Sequence, residues 1–227
     1  MNKSNVFLSL ILSIIIQFLI GVVELFSLFI KVPSNFFLIK QLLILEVIVQ
    51  FIEGFFYLTW LYNFNNITNI TPKRYMDWVL TTPTMLITLI FYLIFLGFRE
   101  KNISSYHLEF FDLFYQNFTS ITYILLLNWI MLLFGYLTEI NLIPTLLGVS
   151  LGFIPFLIYY YIIYTKYAIL SSDGLKIYLY FLFFWSLYGI AAIFPYDIKN
   201  TFYNILDLFS KNFFGIFLVY IILTNNY

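Results

Sequence analysis

The chain has 227 residues, of which 63% are hydrophobic and 10% charged, and it contains 29 Phe and 20 Tyr. A water-soluble domain of this size could not bury so much apolar surface, so the composition predicts a protein that is solvated by lipid. The 11 basic and 11 acidic residues balance, which gives no sign of a nucleic-acid partner, and the lack of cysteine excludes disulfides and thiolate metal sites.

Seven apolar runs reach the length of about 20 residues that a helix needs to cross a bilayer. We place these spans at 5–30, 37–62, 74–97, 118–138, 142–166, 175–197 and 201–224. The runs are continuously apolar rather than alternating, which favours helices over a β-barrel. The predicted fold class is therefore an all-α membrane protein, a seven-transmembrane helix bundle that forms one domain over 1–227. The first run is too long and too weakly flanked for a cleaved signal peptide.

Basic residues predict the orientation of the bundle. One side of the predicted bundle holds Lys31, Lys40, Arg99, Lys101, Lys166 and Lys176. The loops on the other side hold mainly Asn, Thr and Asp, with Lys73 and Lys199 as exceptions. The positive-inside rule then places the N-terminus outside and the C-terminus in the cytoplasm.

Most connections are short, but the cytoplasmic connection over 98–117 is longer. Its second half, 106–115, has polar groups on one side and aromatic rings on the other, which is typical of a short helix in the membrane interface. An extension of the fourth span is the alternative. We expect the His107 side chain in this segment to be solvated, without a functional role.

Seven ionisable residues fall within the predicted spans: Glu24, Glu46, Glu53, Arg74, Asp77, Asp207 and Lys211. We expect Glu24 to reach the lipid headgroups, because it lies near a span end, and Arg74 has the same alternative. The others lie deeper. A lysine in the middle of a span is unfavourable by about 2.5–3.5 kcal/mol on insertion scales, so Lys211 requires a partner, and Asp207 lies one helical turn before it.

The spacing of polar residues predicts a hydrophilic seam. Asp77, Thr81 and Thr88 share one face of the third span. Similar stripes occur on the second span, at Glu46, Gln50 and Glu53, and on the first, at Ser9 and Ser13, while Asn212 follows Lys211 on the last. Stripes that face one another would provide a route for protons, water or small cations. A purely structural ion-pair cluster is the alternative.

Two strings resemble the signatures of microbial (type 1) rhodopsins. They are Arg74-Tyr75-Met76-Asp77-Trp78-Val79-Leu80-Thr81-Thr82-Pro83 on the third span and Asp207-Leu-Phe-Ser-Lys211-Asn-Phe-Phe-Gly215 on the last. The sixth span adds Trp185-Ser-Leu-Tyr188, and the fourth adds Asn128, Met131 and Gly135 at the family's spacing. The resemblance covers nearly the whole chain.

The resemblance implies a chromophore site. Lys211 would form a protonated Schiff base with all-trans retinal, with Asp77 as primary counterion and proton acceptor and Asp207 as second counterion. Arg74 would be a gate on the extracellular side. The residues that would contact the retinal are Trp78, Thr81, Met85, Met131, Gly135, Trp185 and Tyr188. Trp78 and Trp185 would enclose the polyene between them, and the apolar Met85 at a colour-tuning position suggests green absorption.

Three departures distinguish the chain from outward proton pumps of this family. Thr88 holds the position of the cytoplasmic donor carboxylate and cannot donate a proton at physiological pH. Lys199 holds the usually acidic release position, and Gly189 replaces a proline. Glu46 and Glu53 on the second span are then the candidate donors.

Carboxylates on the second span resemble the rhodopsins of giant viruses, in their channel-like first group. In that interpretation Ser13, Glu46 and Asn212 form a constriction on the cytoplasmic side, Gln50 and Thr88 belong to the ion path, and Glu53 lies deeper, near the Schiff base.

The leading hypothesis is a light-gated channel for protons or small monovalent cations, because carboxylates along a pore favour cations. The alternatives are an outward proton pump with a second-span glutamate as donor, a sensory rhodopsin and a proton-coupled transporter unrelated to rhodopsins. We expect no enzyme activity, an integral multi-pass protein in the lipid bilayer (of a host cell if the protein is viral), and a homo-oligomer.

Overall fold

The computed structural model describes residues 3–224, and in this part of the chain all regular structure is helical. The α-helices are α1 (Lys3–Ser27), α2 (Phe37–Tyr62), α3 (Thr71–Glu100), α4 (Phe110–Gln116), α5 (Phe118–Glu139), α6 (Thr145–Lys166), α7 (Ser172–Ala191), α8 (Tyr196–Asp207) and α9 (Phe213–Thr224). A π-helical turn, Leu208–Asn212, joins α8 to α9 into one membrane-spanning segment, here called the last span. Seven segments are long and apolar enough to cross a membrane, which confirms the predicted seven-helix bundle.

Two predicted span boundaries were wrong by five or six residues, and the others differ from the helix ends by at most three. The sixth span ends at Ala191 instead of 197, and the last begins at Tyr196 instead of 201. Pro195 explains both differences, because the residue before a proline is disfavoured in a helix and proline itself suits a helix start. The carbonyl of Pro195 accepts the N–H of Lys199 at 2.9 Å, which opens α8.

Two spans are mostly buried and the others face lipid more. Of the most apolar stretch of α3, 67% is buried within the bundle, and of that of the last span 61%, against 22% for α1. Large rings on α1 and α2 point outward, with Phe18 70% exposed and Phe55 68% exposed. The outer surface is therefore apolar, as contact with hydrocarbon requires, and the other helices surround α3.

A proline in α3 is compensated by a side chain of α5. Pro83 has no N–H, so the carbonyl of Val79 loses its usual helical donor. The indole Nε1 of Trp129 donates to that carbonyl at 3.1 Å. Next to it, Nδ2 of Asn128 donates to Oγ1 of Thr82 at 2.8 Å, so α5 is attached to α3 where the helical hydrogen bonding is interrupted.

The long connection over 98–117 contains a short separate helix. Helix α4 begins at Phe110, whose N–H donates to Oε1 of Gln41 on α2 at 2.9 Å. Leu113 is buried, whereas Phe111 and Tyr115 are exposed. The expected helix over 106–115 was thus wrong in its first four residues, and Asn117 alone separates α4 from α5.

Candidate functional site

The amine of Lys211 lies at the centre of the bundle among three carboxylates. Its Nζ donates to Oδ2 of Asp77 at 2.8 Å and lies 3.3 Å from Oε1 of Glu53 and 3.8 Å from Oδ1 of Asp207. Lys211 is 2% exposed and the three carboxylates are fully buried. The π-helical turn that carries Lys211 is a local distortion of the kind that occurs often at functional sites.

Asp207 is held by hydroxyl groups from two other helices. Tyr57 of α2 donates to its Oδ2, and Tyr188 of α7 donates to its Oδ1 at 2.6 Å. Oη of Tyr188 also lies 2.6 Å from Oγ of Ser210. These two hydroxyl donors hold the carboxylate of Asp207 in a fixed orientation near Lys211.

Arg74 closes the site towards the N-terminal end of α8 and is fully buried. Its Nε donates to Oδ1 of Asn200 at 3.0 Å, and its other nitrogens donate to Tyr57 and to Oδ1 of Asn204. One guanidinium nitrogen lies 3.6 Å from Oδ2 of Asp207. Arg74 therefore does not reach the headgroups, because its donors are satisfied inside the bundle.

The charges of this cluster do not cancel. Lys211 and Arg74 supply two positive charges, while Glu53, Asp77 and Asp207 would supply three negative charges if all were ionised. Two minus three leaves one surplus negative charge in a buried, low-dielectric site, which is unfavourable. Oε2 of Glu53 also has no hydrogen-bond partner. One additional proton held by the cluster would make it neutral.

An apolar cavity begins at Lys211 and extends between α3, α5, α6, α7 and the last span. It measures about 110 Å³ as space open to the centre of a water molecule, several times the roughly 10–15 Å³ that one water requires. Of the residues expected at a chromophore, those that line it are Trp78, Met85, Met131, Gly135, Trp185 and Tyr188. Thr81 does not line it, and its Oγ1 donates to the carbonyl of Asp77 at 3.0 Å.

Two glycines near this cavity make room for aromatic rings. A Cβ atom at Gly135 would lie 2.5 Å from Oη of Tyr75. A Cβ at Gly189 would lie 2.6 Å from the ring of Phe153. The glycine in place of the family's proline thus has a local reason, since Phe153 occupies the space.

A row of polar residues on α1 faces α2 and the last span. Near the extracellular side predicted from sequence, Nδ2 of Asn204 donates to Oγ of Ser9 at 2.8 Å, and Oγ of Ser13 donates to the carbonyl of Asn204 at 2.8 Å. At the level of Lys211, Nε2 of Gln17 donates to Oε1 of Glu53 at 3.2 Å. These contacts form the first half of what we call the polar seam.

The second half of the polar seam lies beyond Lys211. Nε2 of Gln50 donates to Oδ1 of Asn212 at 3.1 Å. The carboxyls of Glu24 and Glu46 follow, both buried, and Thr88 of α3 lies beside Glu46. The seam thus extends past the level of Lys211, with the carboxyl of Glu53 at that level and those of Glu24 and Glu46 beyond it.

Two expectations about this region were wrong. Ser13 does not join Glu46 and Asn212, because it binds Asn204, eight residues or about 12 Å before Asn212 along the last span. Glu24 does not reach the headgroups, because it is fully buried against the last span. Its position in the sequence suggested a helix end, but its side chain points into the bundle.

A salt bridge between Lys199 and Glu139 lies at the end of the bundle opposite to Glu24 and Glu46. Nζ of Lys199 lies 2.7 and 2.9 Å from the two carboxylate oxygens of Glu139. This contact joins α8 to the C-terminal end of α5. Lys199, at the family's release position, is thus neutralised by a partner and does not face the Arg74 cluster.

Sequence reasoning missed several residues that hold the site, namely Gln17, Tyr57, Asn200, Asn204 and Ser210. Two of them were visible as periodic positions. Tyr57 continues the stripe of Glu46, Gln50 and Glu53 on α2, and Asn204 precedes Asp207 by three residues on the last span. The same spacing of three and four that identified the carboxylates would have identified these partners.

Together these features define a seven-helix membrane protein with a buried, ion-paired amine at one end of an apolar cavity. The chain matches the family model of bacteriorhodopsin-like proteins over residues 6–225 and belongs to this family, whose members bind retinal. It is an integral multi-pass membrane protein of the microbial rhodopsin class, which comprises photoreceptors and ion transporters.

Solved structures agree with this assignment. The viral rhodopsin OLPVRII superposes with a TM-score of 0.80 and 27% identity, over 98% of this chain and 99% of that one. The blue light-absorbing proteorhodopsin from Med12 gives 0.71 and 20%, over 97% of each chain. Xanthorhodopsin, a light-driven ion pump with dual chromophore, gives 0.73 and 18%, over 98% of this chain and 94% of that one, and these two share the fold. Among curated protein sequences the chain has no significant match.

Proposed function

We propose that the protein is a retinal photoreceptor that passes cations through the membrane after it absorbs light, and that it is a light-gated channel. The observation that supports this best is the polar seam between α1, α2 and the last span. The seam passes Lys211, so the residue that would carry the chromophore is also part of the conduction path. Carboxylates in the seam favour cations over anions.

The residues present fit retinal. An apolar cavity suits a polyene, and the amine of Lys211 at its end is available for an imine linkage to all-trans retinal. When bound, retinal supplies light absorption and a change of shape through isomerisation. Trp78 and Trp185 line the cavity and would limit the chromophore's movement.

Asp77 is the best-placed group to accept a proton from the nitrogen of Lys211, because its Oδ2 lies 2.8 Å from Nζ and its Oδ1 has no hydrogen-bond partner. Asp207 is less suited, since two tyrosines already donate to it. We therefore assign proton acceptance to Asp77 and electrostatic stabilisation to Asp207.

The seam is closed in the structure described. The polar residues along it that are at most 4% exposed are Ser13, Gln17, Glu24, Glu46, Glu53, Thr88, Asn204 and Asn212. A hydrated cation could pass only after the helices separate. Because Asn212 directly follows Lys211 and binds Gln50 of α2, movement of the last span would break a contact that holds the seam closed.

An outward proton pump is the second candidate, and the position of Glu46 favours it. Its carboxyl lies beside Thr88, at the level where pumps of this family carry a donor carboxylate on the third helix. A closed seam suffices for protons, which can pass between adjacent groups. In this candidate function Glu46 returns a proton towards Lys211 after Asp77 has accepted one.

Photocurrents at a series of voltages separate the two candidates. The chain is expressed with added retinal, and the pH and the Na⁺ and K⁺ gradients are varied independently. A channel gives currents that reverse at a potential set by the gradients. A pump gives outward current that does not reverse. Light-dependent absorbance changes without current at any voltage would contradict both and favour a sensory receptor.

Lys211→Ala tests the chromophore assignment. Without the amine no imine can form, so we expect the variant, purified with retinal, to lose its visible absorption band. Lys176→Ala is a control, because Lys176 lies at the surface with a side chain that is 73% exposed. A Lys211→Ala protein with an unchanged visible band would refute retinal attachment at this residue.

A further inference from the structure

Two buried glutamates come together in the half of the bundle beyond Lys211. Glu24 of α1 packs on the backbone of Gly215, which is four residues or about 6 Å past Lys211 along the last span. A Cβ at residue 215 would overlap Oε1 of Glu24 and lie 2.6 Å from its carboxyl carbon. The absence of a side chain at Gly215 therefore creates the space that the carboxyl of Glu24 occupies.

The acidic group that faces Glu24 is Glu46 of α2. The antiparallel pairing of α1 and α2 brings them level, because Gln17 binds Glu53 at 3.2 Å and a Cβ at Gly21 would lie 4.0 Å from Cβ of Gln50, so position 24 comes opposite position 46. Glu24 is 0% exposed and Glu46 is 2% exposed. Both carboxylate oxygens of Glu24 and Oε1 of Glu46 are buried without a hydrogen-bond partner. Within the described part of the chain, the ion pairs of Lys and Arg side chains include neither glutamate.

Two adjacent carboxylates cannot both be ionised in such a place without strong repulsion and an uncompensated desolvation cost. A proton held between the two carboxylates removes one of the two negative charges. It also supplies a hydrogen-bond donor to oxygens that otherwise have none. A metal ion fits less well, since hard cations take six or more oxygen ligands and the pair with Gln50 offers few. The chemistry of the site therefore favours a proton as its occupant.

We infer that Glu24 and Glu46 form a proton-binding pair that holds one proton between two carboxylates in the dark. Nothing in the family resemblance assigns a role to Glu24. The existence of the pair does not depend on light-driven transport, but its role rests on the proposed function. There it is a proton reservoir between Lys211 and the cytoplasmic side predicted from sequence, connected to Lys211 through Gln50 and Asn212.

Infrared spectroscopy of the unilluminated protein tests the pair directly. A shared proton gives a carboxylic C=O stretching band that shifts in D₂O. We expect Glu24→Gln and Glu46→Gln each to shift or remove the same band, and the double variant to lose it. Glu109→Gln is the control, because Glu109 is exposed on the long connection. The thermal transition of each variant shows whether it is folded.

Several results would overturn the inference. If the double variant keeps every carboxylic band of the parent protein, those bands belong to other carboxyls, such as Glu53. Two bands that the single variants remove independently show two separate neutral carboxyls. A band that appears only when Na⁺ and K⁺ are replaced by a bulky organic cation shows that metal cations are the occupants. Since these measurements need no light, their failure is distinct from failure of the channel or pump proposal.

Gly215→Ala offers a second test that leaves both carboxyls in place. The added methyl group would overlap the carboxyl of Glu24, so we expect the band of the pair to shift in frequency. Gly54→Ala is the matched control, because a Cβ there meets nothing within 4 Å. An unshifted band in a folded Gly215→Ala protein would contradict the placement of the pair.

The pair should also act as one unit in transport. If both glutamates hold the same proton, photocurrent decay in the double variant should be no slower than in the slower single variant. If the double variant slows photocurrent decay by the product of the two single-variant factors, the two glutamates have independent roles. That result would contradict the shared proton.

Discussion

At the scale of single residues, the chemistry depends on how Lys211 is surrounded. Three carboxylates come from α2, α3 and α8, and each has different support. Asp207 accepts from two tyrosines, Asp77 accepts from Lys211 alone, and Glu53 accepts from Gln17 while its second oxygen has no partner. Groups with such different environments take different roles although they touch the same amine.

Asp77→Asn should shift the visible band to longer wavelength. Removing the anion nearest the amine lowers the stabilisation of the positive charge in the ground state, and it also removes the proton acceptor. Absorption spectra and flash photolysis measure both effects, and deprotonation of the Lys211 nitrogen should slow or stop. Asp173→Asn is the control, because Asp173 pairs with Lys176 at the surface. An unshifted band would contradict the role of Asp77 as counterion.

Glu53→Gln should change the colour much less than Asp77→Asn does. The cluster contains one carboxylate more than its cations can balance, and Glu53 is the carboxylate whose second oxygen lacks a partner. If Glu53 carries the extra proton, glutamine replaces a neutral group with another neutral group of similar shape. Spectra recorded side by side would decide, and an equal or larger red shift in Glu53→Gln would show that Glu53 is ionised in the dark.

At the scale of helices, the sequence predicted the number of spans better than their ends or their inward faces. Apolar length identified all seven, because a bilayer imposes the same requirement on each. Apolar length could not place the helix ends beside Pro195, because local backbone geometry determines where those helices end. It also could not place the side chain of Glu24, which lies three positions from the end of α1 and could point outward or inward. The space left by Gly215 on another helix determines that it points inward.

The proline of α3 provides a prediction about stability. Trp129→Phe keeps an aromatic ring but removes the N–H that satisfies the carbonyl of Val79. In lipid no water replaces it, so we expect a loss of about 1–3 kcal/mol, the usual cost of a buried acceptor without a donor. Thermal unfolding in detergent measures it, with the lipid-facing Tyr123→Phe as control. Equal transition temperatures for both variants would show that the α3–α5 link contributes nothing measurable.

At the scale of the whole molecule, absorption and conduction occupy different parts of the bundle. The cavity is lined by α3, α5, α6, α7 and the last span, whereas the polar seam lies chiefly between α1, α2 and the last span. The two regions meet at Lys211. The motifs of the third and last spans are local in sequence, and they include Trp78 and Lys211, which line the cavity. The second depends on contacts between distant helices, which explains why Ser13 was assigned to the wrong end.

This division predicts that colour and selectivity can be changed separately. Met85 lines the cavity and Glu46 lies in the seam, so Met85→Gln should shift the band to shorter wavelength and leave the reversal potential unchanged. Glu46→Gln should leave the band in place and change the reversal potential under fixed gradients, because one carboxylate fewer lines the path.

Spectra and photocurrents of the two variants form the test, with Glu109→Gln as control for both. If Glu46→Gln instead leaves the reversal behaviour unchanged and only slows recovery after each flash, Glu46 is a proton donor and the pump is the better description. If it changes the colour as strongly as Met85→Gln does, the two regions are not separate and the proposed path past Lys211 is wrong.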